Sequence, residues 1–366
     1  MSARSRPALQ RIPAEQLHAD ELQRLNDWDQ HPRPPGWRLS PRAVEMFVLG
    51  DESLGIARKF VAEPGVVNRT VVSLCTDLGA LLAGPPGTAK SWLSELLAAA
   101  ICGDSTLSVQ GGSVESIGQL IYSWNEALVR RSGPTPEAVV PGALMRAMRE
   151  GRILRFEELA RCHQHLQDAL LSVLSDRVVT IPELGEAGVV HSVAGFNIIA
   201  TSNDVDVGIY QMSAALKRRL NFERILPIRR IEDEIDVVRN ELIKRNGQAG
   251  LEVEITDEVL EVLVTVFHEL RNGQTLDGRS TDRLAASFMS TAEAVNAAHA
   301  ACAHAFYYGD GAMTVAKLLH FILGTALKDD PEDRRRLHHY FETEVARKTG
   351  DHWQKAYAQR HLISLR

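Results

Sequence analysis

The segment Gly84–Ser91, with the sequence GPPGTAKS, limits the possible folds more than any other part of the chain. It follows the short apolar run Ala80–Ala83 and leads into a helical stretch, Ser91–Ala100, with one apolar side. Gly84 and Gly87 permit tight backbone turns that point N–H groups inward at an anion. The positive end of the following helix adds to that attraction. The order of strand, loop and helix predicts a phosphate-binding loop; the alternative is a chance Gly/Pro turn.

The side chains of this loop fit the same chemistry. The pattern is G-x-x-x-x-G-K-[ST], except that Ala89 replaces the last glycine. Lys90 can reach the β- and γ-phosphates of a nucleotide, and the Ser91 hydroxyl can ligate Mg²⁺. We therefore predict binding of ATP with Mg²⁺. The predicted nucleotide-binding residues are Gly84, Pro85, Pro86, Gly87, Thr88, Ala89, Lys90 and Ser91.

Composition gives few hints of other functions. The formal net charge of −6 does not indicate a nucleic-acid or acidic-membrane partner. We find no apolar run near the ~20 residues needed to span a bilayer. The first residues also lack the apolar centre of a signal peptide, so a cytoplasmic protein is expected. The four cysteines are scattered, which favours free thiols over disulfides or zinc ligands.

Short apolar runs alternate with helical stretches up to about residue 228. The predicted strands are Ala80–Ala83, Thr106–Gln110, Ile153–Phe156, Asn197–Thr201 and Ile225–Ile228. Short apolar runs bounded by Gly or polar residues are typical of buried parallel strands. Alternation of strand and helix predicts an α/β fold, a three-layer αβα domain around a five-stranded parallel sheet.

The strands stop after Arg229, and a helical periodicity takes over. The predicted helices are Glu232–Arg245, Thr256–Arg271, Thr281–Ala305, Met313–Ala326 and Pro331–Lys348. We expect four parts: an arm or linker over 1–40, with one short helix near Ala14–Trp28, an αβα core over 41–228, an all-α lid over 229–348, and a tail over 349–366.

Two polar features follow predicted strands, where ligand groups gather in open parallel sheets. Glu157 and Glu158 end the run that begins at Ile153. One carboxylate can hold the Mg²⁺ shell while the next orients the attacking water. The alternative is a solvated acidic pair at a helix start. Asn203 could help to place the lytic water, although an Asn-Asp turn is equally natural from the local sequence.

These motifs together resemble the AAA+ superfamily, and more narrowly its MoxR group. The resemblance includes the loop with Ala before Lys, the Pro141-Gly142-Ala143-Leu144 stretch, and the strands that lead to Glu158 and Asn203. It is clear over residues 60–230 and weak in the helical lid. The resemblance implies a P-loop ATPase that works as a ring, expected to be a hexamer, and that hydrolyses ATP.

Residue roles follow from the resemblance by position. Glu157 falls where the family has the Mg²⁺-associated Asp, Glu158 matches the catalytic Glu, and Asn203 matches sensor 1. Arg219 falls at the arginine finger, which acts on the neighbouring subunit's nucleotide, with Arg218 as the fallback and a surface basic cluster as the alternative.

Arg283 is the best candidate for the sensor-2 arginine. Its alternative role is a helix-start ion pair with Asp282 or Glu293.

Two residues depart from the family pattern. Glu157 is one methylene longer than Asp, which could displace the metal shell. Arg155 interrupts a strand that is usually apolar, and because a buried unpaired charge is costly, it must pair or reach the surface. We therefore expect slow turnover.

The segment Val178–Ala194 corresponds to a family β-hairpin that points toward the ring's pore. It contains Glu183 and Glu186 but no Lys or Arg, which disfavours a DNA-translocating ring. The sequence favours a chaperone-like remodeller of a protein client. The resemblance implies a separate partner with a von Willebrand A domain. The alternative is a nucleotide switch that assembles a ring and barely hydrolyses ATP.

Overall fold

The computed structural model describes residues 11–203, 212–284, 289–325 and 331–363. The chain divides into two compact units. Unit 1 lies within residues 1–84 and 90–225, and unit 2 lies within 85–89 and 226–366. Parts of the predicted segments lie outside the described residues: the start of the arm (1–10), residues 204–211 of the core with Asp204 of the Asn-Asp turn, residues 285–288 of the helix over 281–305, Ala326, and the end of the tail (364–366).

Unit 1 combines short strands with longer helices. Its strands are β1 Gly79–Gly84, β2 Ser108–Gln110, β3 Tyr122–Trp124, β4 Val139–Pro141, β5 Ile153–Glu157, β6 Val178–Thr180, β7 Val189–His191, β8 Asn197–Asn203 and β9 Leu220–Arg224. Its helices are α1 Ala14–Leu17, α2 Ala19–Trp28, α3 Pro41–Leu49, α4 Val66–Leu74, α5 Lys90–Cys102, α6 Ile117–Leu120, α7 Glu126–Ser132, α8 Ala143–Glu150, α9 Gln164–Asp176 and α10 Ala214–Lys217.

Five strands form one sheet in the order β2-β5-β8-β1-β9. Every pair of neighbours in it is parallel. Apolar clusters cover both faces: one contains side chains of α3, α4 and α5, and the other contains side chains of α8 and α9. The predicted αβα fold with a five-stranded parallel sheet is therefore confirmed.

The predicted position of the last strand is wrong. We expected Ile225–Ile228, but the strand is Leu220–Arg224. Its residues pair with β1 from Gly79↔Leu220 to Ala83↔Arg224. The sequence LNFER is too polar to read as a buried strand, yet β9 is an edge strand of this sheet, so part of its surface faces solvent. The apolar residues that follow the strand misled the prediction.

The described part of the N-terminal segment packs on unit 1. The one helix predicted near Ala14–Trp28 is two helices, α1 and α2, which break at His18. Ala14, Leu25 and Trp37 belong to the core that contains α5. The predicted boundary at residue 40 stays a prediction.

The segment Val178–Ala194 contains the expected hairpin. Strands β6 and β7 pair antiparallel, from Val178↔His191 to Thr180↔Val189. Val189 and Val193 are exposed. The segment thus presents apolar side chains to solvent, one in β7 and one just after it.

Unit 2 is helical, as predicted for the region after residue 229. Its helices are α11 Ile231–Ala249, α12 Asp257–Asn272, α13 Thr291–Tyr308, α14 Val315–Thr325, α15 Pro331–Thr343 and α16 Asp351–Ala358. They share one apolar core, which includes Trp353 and Ala356 from the segment predicted as a tail. No helix in the described ranges combines the length and apolar character needed to cross a bilayer.

One predicted helix of unit 2 starts too early. We expected helix from Thr281, but residues 281–284 are not helical and α13 begins at Thr291. Ser290 caps that start, because its hydroxyl accepts a hydrogen bond from the backbone N–H of Glu293. The apolar spacing that begins at Thr281 therefore does not mark the start of α13.

A buried ionic cluster ties helices α11, α12 and α13 together. Glu234 accepts hydrogen bonds from Arg271 at 2.6 and 2.9 Å and from the Thr291 hydroxyl at 2.6 Å. His268 Nδ1 lies 3.0 Å from the same carboxylate. Burial alone would raise the pKa of Glu234, but hydrogen bonds from His268 and Arg271 outweigh it and hold the pKa at about 2.

We expect Glu234→Gln to destabilise unit 2, because it leaves Arg271 buried without its counter-charge. The expected loss at pH 7 is about 3–5 kcal/mol, measured by urea unfolding. The exposed Glu232→Gln on the same helix is the control. Since the folded pKa of Glu234 is depressed, its contribution is complete above its ordinary pKa of 4.5 and fades as the pH falls toward 2. If the difference in free energy of unfolding between wild type and Glu234→Gln grows as the pH falls from 4.5 toward 2, the assignment is contradicted.

Candidate active site

The loop that follows β1 has an unusual backbone. Gly84 has a φ of 155°, and a Cβ there would lie 2.1 Å from the carbonyl oxygen of Ile225. Gly87 has a φ of 76°, in the region that favours glycine. Ala89 also has a positive φ, of 60°, which costs a residue with a side chain roughly 1–2 kcal/mol. The chain thus keeps a glycine-like turn at the position where Ala89 replaces glycine.

Helix α5 begins at Lys90, directly after this loop. The Lys90 side chain is buried, and its Nζ donates a hydrogen bond of 2.9 Å to the carbonyl oxygen of Gly84. The ammonium group therefore lies back over the end of β1. The Lys90 side chain is flexible, so its ammonium can release the Gly84 carbonyl and donate to an anionic oxygen while the helix stays unchanged.

Three neighbouring strands bring Glu157, Asn203 and the start of the loop to one edge of the sheet. Glu157 ends β5, Asn203 ends β8 and Gly84 ends β1, and these strands are neighbours in the order β5-β8-β1. Gly84 and Asn203 are directly paired in the parallel register. Because the carboxyl ends of parallel strands meet at one edge, Lys90 and these polar groups share a region of unit 1.

The Glu157 carboxylate is buried and fully engaged by hydroxyl groups and a guanidinium. Its Oε2 accepts hydrogen bonds from Ser91 Oγ at 2.6 Å and from Thr201 Oγ1 at 2.8 Å. Its Oε1 lies 2.8 Å from Ser94 Oγ and 2.9 Å from Arg155 Nη2. The predicted pair of Ser91 and Glu157 is therefore in direct contact.

This environment keeps Glu157 ionised. Burial alone would raise the pKa of Glu157, but the hydrogen bond from Ser91 and the charge of Arg155 outweigh burial and hold the pKa below its ordinary value. Arg155, in turn, satisfies the requirement that a buried charge be paired. The site therefore contains a permanent carboxylate next to a serine hydroxyl.

Glu158 lies in a different environment from its neighbour. Its backbone is left-handed, with a φ of 55°, and its N–H donates to Thr201 Oγ1 at 3.0 Å. Its half-exposed carboxylate forms an ion pair with Arg161 Nη1 at 3.0 Å. Exposed ion pairs contribute only about 0–1 kcal/mol, so this carboxylate is easily released for another role.

The predicted arginines differ in their anchoring. Arg219 Nε donates to Ser175 Oγ at 2.9 Å, and Arg218 is exposed. In unit 2, Arg283 Nε donates to the carbonyl oxygen of Arg271 at 3.2 Å, and residues 281–284 are not helical. The role of Arg283, as sensor 2 or in an ion pair with Asp282 or Glu293, stays a prediction.

Sequence reasoning missed three residues that hold the site together: Ser94, Glu95 and Thr201. Ser91, Ser94 and Glu95 have the i, i+3, i+4 spacing of one helix face, which is a readable signal. Arg155 and Glu157 likewise share a face of β5, because side chains alternate along a strand. Polar residues on both facing surfaces could have indicated a buried polar network.

Comparisons with known proteins agree with this architecture. Residues 79–220 match the AAA domain (dynein-related subfamily), and residues 232–364 match the YehL-like AAA+ ATPase C-terminal domain. Protein YehL of Escherichia coli K12 is 48% identical over 357 residues, which cover 97% of this chain and 98% of that protein. A Staphylococcus haemolyticus protein is 28% identical over 52% of this chain and 67% of its own length.

A structural comparison gives a more distant likeness. The match to the crystal structure of NtrX from Brucella abortus in complex with ATP covers 84% of this chain and 70% of the NtrX chain. The sequence identity is 16% and the TM-score is 0.49.

The parallel sheet, the loop after β1 and the acidic end of β5 are those of an AAA+ module, as the matched AAA domain requires. The similarity to YehL extends over nearly the full length of both proteins, and the C-terminal domain matches a model specific to that group. The chain belongs to the YehL-like family of AAA+ ATPases.

We expect Thr201→Val to destabilise unit 1, because it removes both the donor to Glu157 and the acceptor for the Glu158 N–H. The expected cost is about 1–3 kcal/mol, as for buried polar groups left without a partner. Thr201→Ser keeps the hydroxyl and is the matched control. Urea unfolding monitored by fluorescence measures both; equal midpoints for Thr201→Val and wild type would contradict this role.

Proposed function

We propose that this chain is a magnesium-dependent ATPase of the MoxR group, which works as a ring and remodels or assembles a protein client. The observation that carries the proposal is the contact between Ser91 Oγ and Glu157 Oε2, at 2.6 Å, at the start of the helix that follows the loop. Lys90, Glu158 and Asn203 belong to the same unit and support it. The loop Gly84–Ser91 is proposed to take the triphosphate.

The residues present fit a magnesium ion. Mg²⁺ prefers oxygen ligands and is commonly bound through one or two carboxylates together with substrate phosphates. A serine hydroxyl and an ionised carboxylate in contact supply such oxygens. In this proposal Ser91 and Glu157 hold the ion, which would neutralise phosphate charge when bound.

The remaining residues have separate tasks. Lys90 exchanges its bond to the Gly84 carbonyl for the β- and γ-phosphates. Glu158 leaves Arg161 and accepts a proton from the attacking water. Asn203 helps to orient that water. Because Glu157 is longer than the family's Asp, we propose a slow intrinsic rate.

Ring assembly supplies the proposed arginine finger. Arg219 is our candidate, and it would have to exchange its bond to Ser175 for the neighbouring subunit's nucleotide. Arg218 is exposed and remains the fallback. A residue that acts in trans requires a closed or helical oligomer, and we propose a hexamer. Arg283 is proposed as sensor 2.

The client is proposed to be a protein rather than DNA. The segment Val178–Ala194 exposes Val189 and Val193 and contains no Lys or Arg, whereas binding to a phosphate backbone depends on cations. By resemblance to the MoxR group, we propose a separate partner with a von Willebrand A domain. We also propose a cytoplasmic location.

Hydrolysis and binding of ATP test this function directly. Glu158→Gln should lower the rate of phosphate release by about 10²–10⁴-fold, because a general base is lost. It should leave Mg·ATP affinity, measured by calorimetry, within about twofold of wild type. Glu126→Gln, an exposed glutamate on α7, is the matched control and should hydrolyse ATP normally.

The outcomes separate the candidate functions. Wild type that binds Mg·ATP but shows no hydrolysis, with or without a partner, would favour the nucleotide switch. A rate that rises on addition of DNA would favour the translocating ring. Wild type that binds no adenine nucleotide would refute the proposal altogether.

Arg219→Ala and Arg218→Ala identify the finger. Loss of a true finger costs on the order of 10³ in rate, and we expect this loss for Arg219→Ala but not for its neighbour. Mixing inactive Glu158→Gln with inactive Arg219→Ala should restore activity, since mixed rings contain interfaces with both groups intact. The reverse pattern would assign the finger to Arg218, and no complementation would argue against action in trans.

A further inference from the structure

Strand β5 contains a buried arginine to which the proposed function gives no role. All five residues of β5 are buried, and Arg155 is the central one. Side chains alternate along the strand, so Arg155 and Glu157 face α5, while Leu154 and Phe156 face the opposite core. A guanidinium in the middle of a parallel sheet is costly unless every donor finds an acceptor.

The guanidinium finds acceptors on three elements of unit 1. Nε donates to Ser94 Oγ at 2.9 Å, and Nη1 donates to the carbonyl oxygen of Ser105 at 2.9 Å. Nη2 donates both to the carbonyl oxygen of Ser91 at 3.0 Å and to Glu157 Oε1 at 2.9 Å. One planar group therefore joins the proposed metal carboxylate to the first turn of α5.

A second layer of contacts holds the acceptors in place. Glu95 Oε2 lies 3.7 Å from Arg155 Nη1 and 2.5 Å from Arg11 Nη2. The backbone N–H of Ser105 donates to Glu15 Oε2 at 3.2 Å. Both acidic side chains therefore link the surroundings of Arg155 to the N-terminal segment. The guanidinium occupies a prepared polar site and is not an isolated charge.

We propose that Arg155 is a positioning residue for the magnesium site, which fixes the Glu157 carboxylate against the Ser91 hydroxyl. The inference rests on the proposed function, because it takes Ser91 and Glu157 as the metal-holding pair. In this role Arg155 needs no contact of its own with the nucleotide or the metal. It acts by holding the carboxylate of Glu157 and the Ser91 backbone in one rigid arrangement.

This role explains why both departures from the family pattern occur together. Glu157 has one more rotatable bond than Asp, so its carboxylate can occupy more rotamer positions. Arg155 removes that freedom, since its rigid fork binds Oε1 and leaves Oε2 directed at Ser91 and Thr201. A lysine supplies the same charge but has no fixed fork, and so cannot make all four contacts.

The test measures the Mg²⁺ dependence of nucleotide binding by the full chain. A fluorescent ATP analogue is titrated at increasing Mg²⁺ and, separately, in EDTA. We expect Arg155→Lys to raise the Mg²⁺ concentration for half-maximal tight binding by about 10–100-fold, as for other residues that orient metal ligands. Binding in EDTA should stay within about twofold of wild type, because it depends on the loop and Lys90.

Two further variants sharpen the test. Arg152→Lys is the matched control on the same segment, since Arg152 pairs with Asp104 and Glu150 away from Glu157; its Mg²⁺ dependence should equal that of wild type. In an Arg155→Lys background, Glu157→Asp should recover at least part of the lost Mg²⁺ affinity, because the shorter carboxylate needs less support. Circular dichroism and thermal unfolding establish that each variant is folded.

The outcomes distinguish this inference from the proposed function. An unchanged Mg²⁺ dependence in folded Arg155→Lys would overturn the positioning role and leave the ATPase proposal intact. Equal losses of affinity for the ATP analogue with Mg²⁺ and in EDTA would also overturn it, since they would show a general structural role for Arg155. Wild type that binds no nucleotide under either condition would instead refute the function on which the inference rests.

Discussion

The ionised, buried carboxylate of Glu157 is the constraint around which unit 1 is arranged. A charge at the end of a central strand is tolerable only when hydrogen-bond donors surround it. Ser91, Ser94, Thr201 and Arg155 supply those donors from α5, β8 and β5. The same requirement fixes the start of α5 against the sheet, and with it the position of Lys90. The contacts that stabilise this part of unit 1 are therefore the same ones that hold the proposed cation site.

The two neighbouring glutamates show how backbone direction separates roles. Glu157 points into the helix–sheet interface, where hydroxyl groups and a guanidinium hold it ionised. At Glu158 the backbone turns left-handed, and the next carboxylate is half-exposed with a weak partner. A fixed carboxylate suits a metal ligand, whereas a loosely held one suits a base that must move protons. Unit 2 also contains a buried ion pair. There Glu234 and Arg271, together with Thr291, join helices α11, α12 and α13 around an apolar core.

Much of the fold could be predicted because its signals are local. The runs before the loop and before Glu157 have the length and apolarity of buried parallel strands, and both are strands. The prediction went wrong where tertiary context overrode the local pattern. The edge strand β9 is polar enough to look like a loop, and the start of α13 depends on the Ser290 cap rather than on apolar spacing. The roles of Asn203, Arg219 and Arg283 remain predictions, since each depends on a ligand or a neighbouring subunit.

The sequence by itself determined the phosphate-loop spacing, the αβα order of strands and helices, and the placing of acidic residues at a strand end. Each follows from residue types that are adjacent in the chain. Only the tertiary structure decided what Arg155 does, because its acceptors at Ser91, Ser94 and Ser105 lie 50–64 residues away along the chain. In the sequence of the strand alone, Arg155 is only a charged residue that interrupts an apolar run. Folding makes it the group that pairs with Glu157, because the sheet places this charge opposite the polar face of α5.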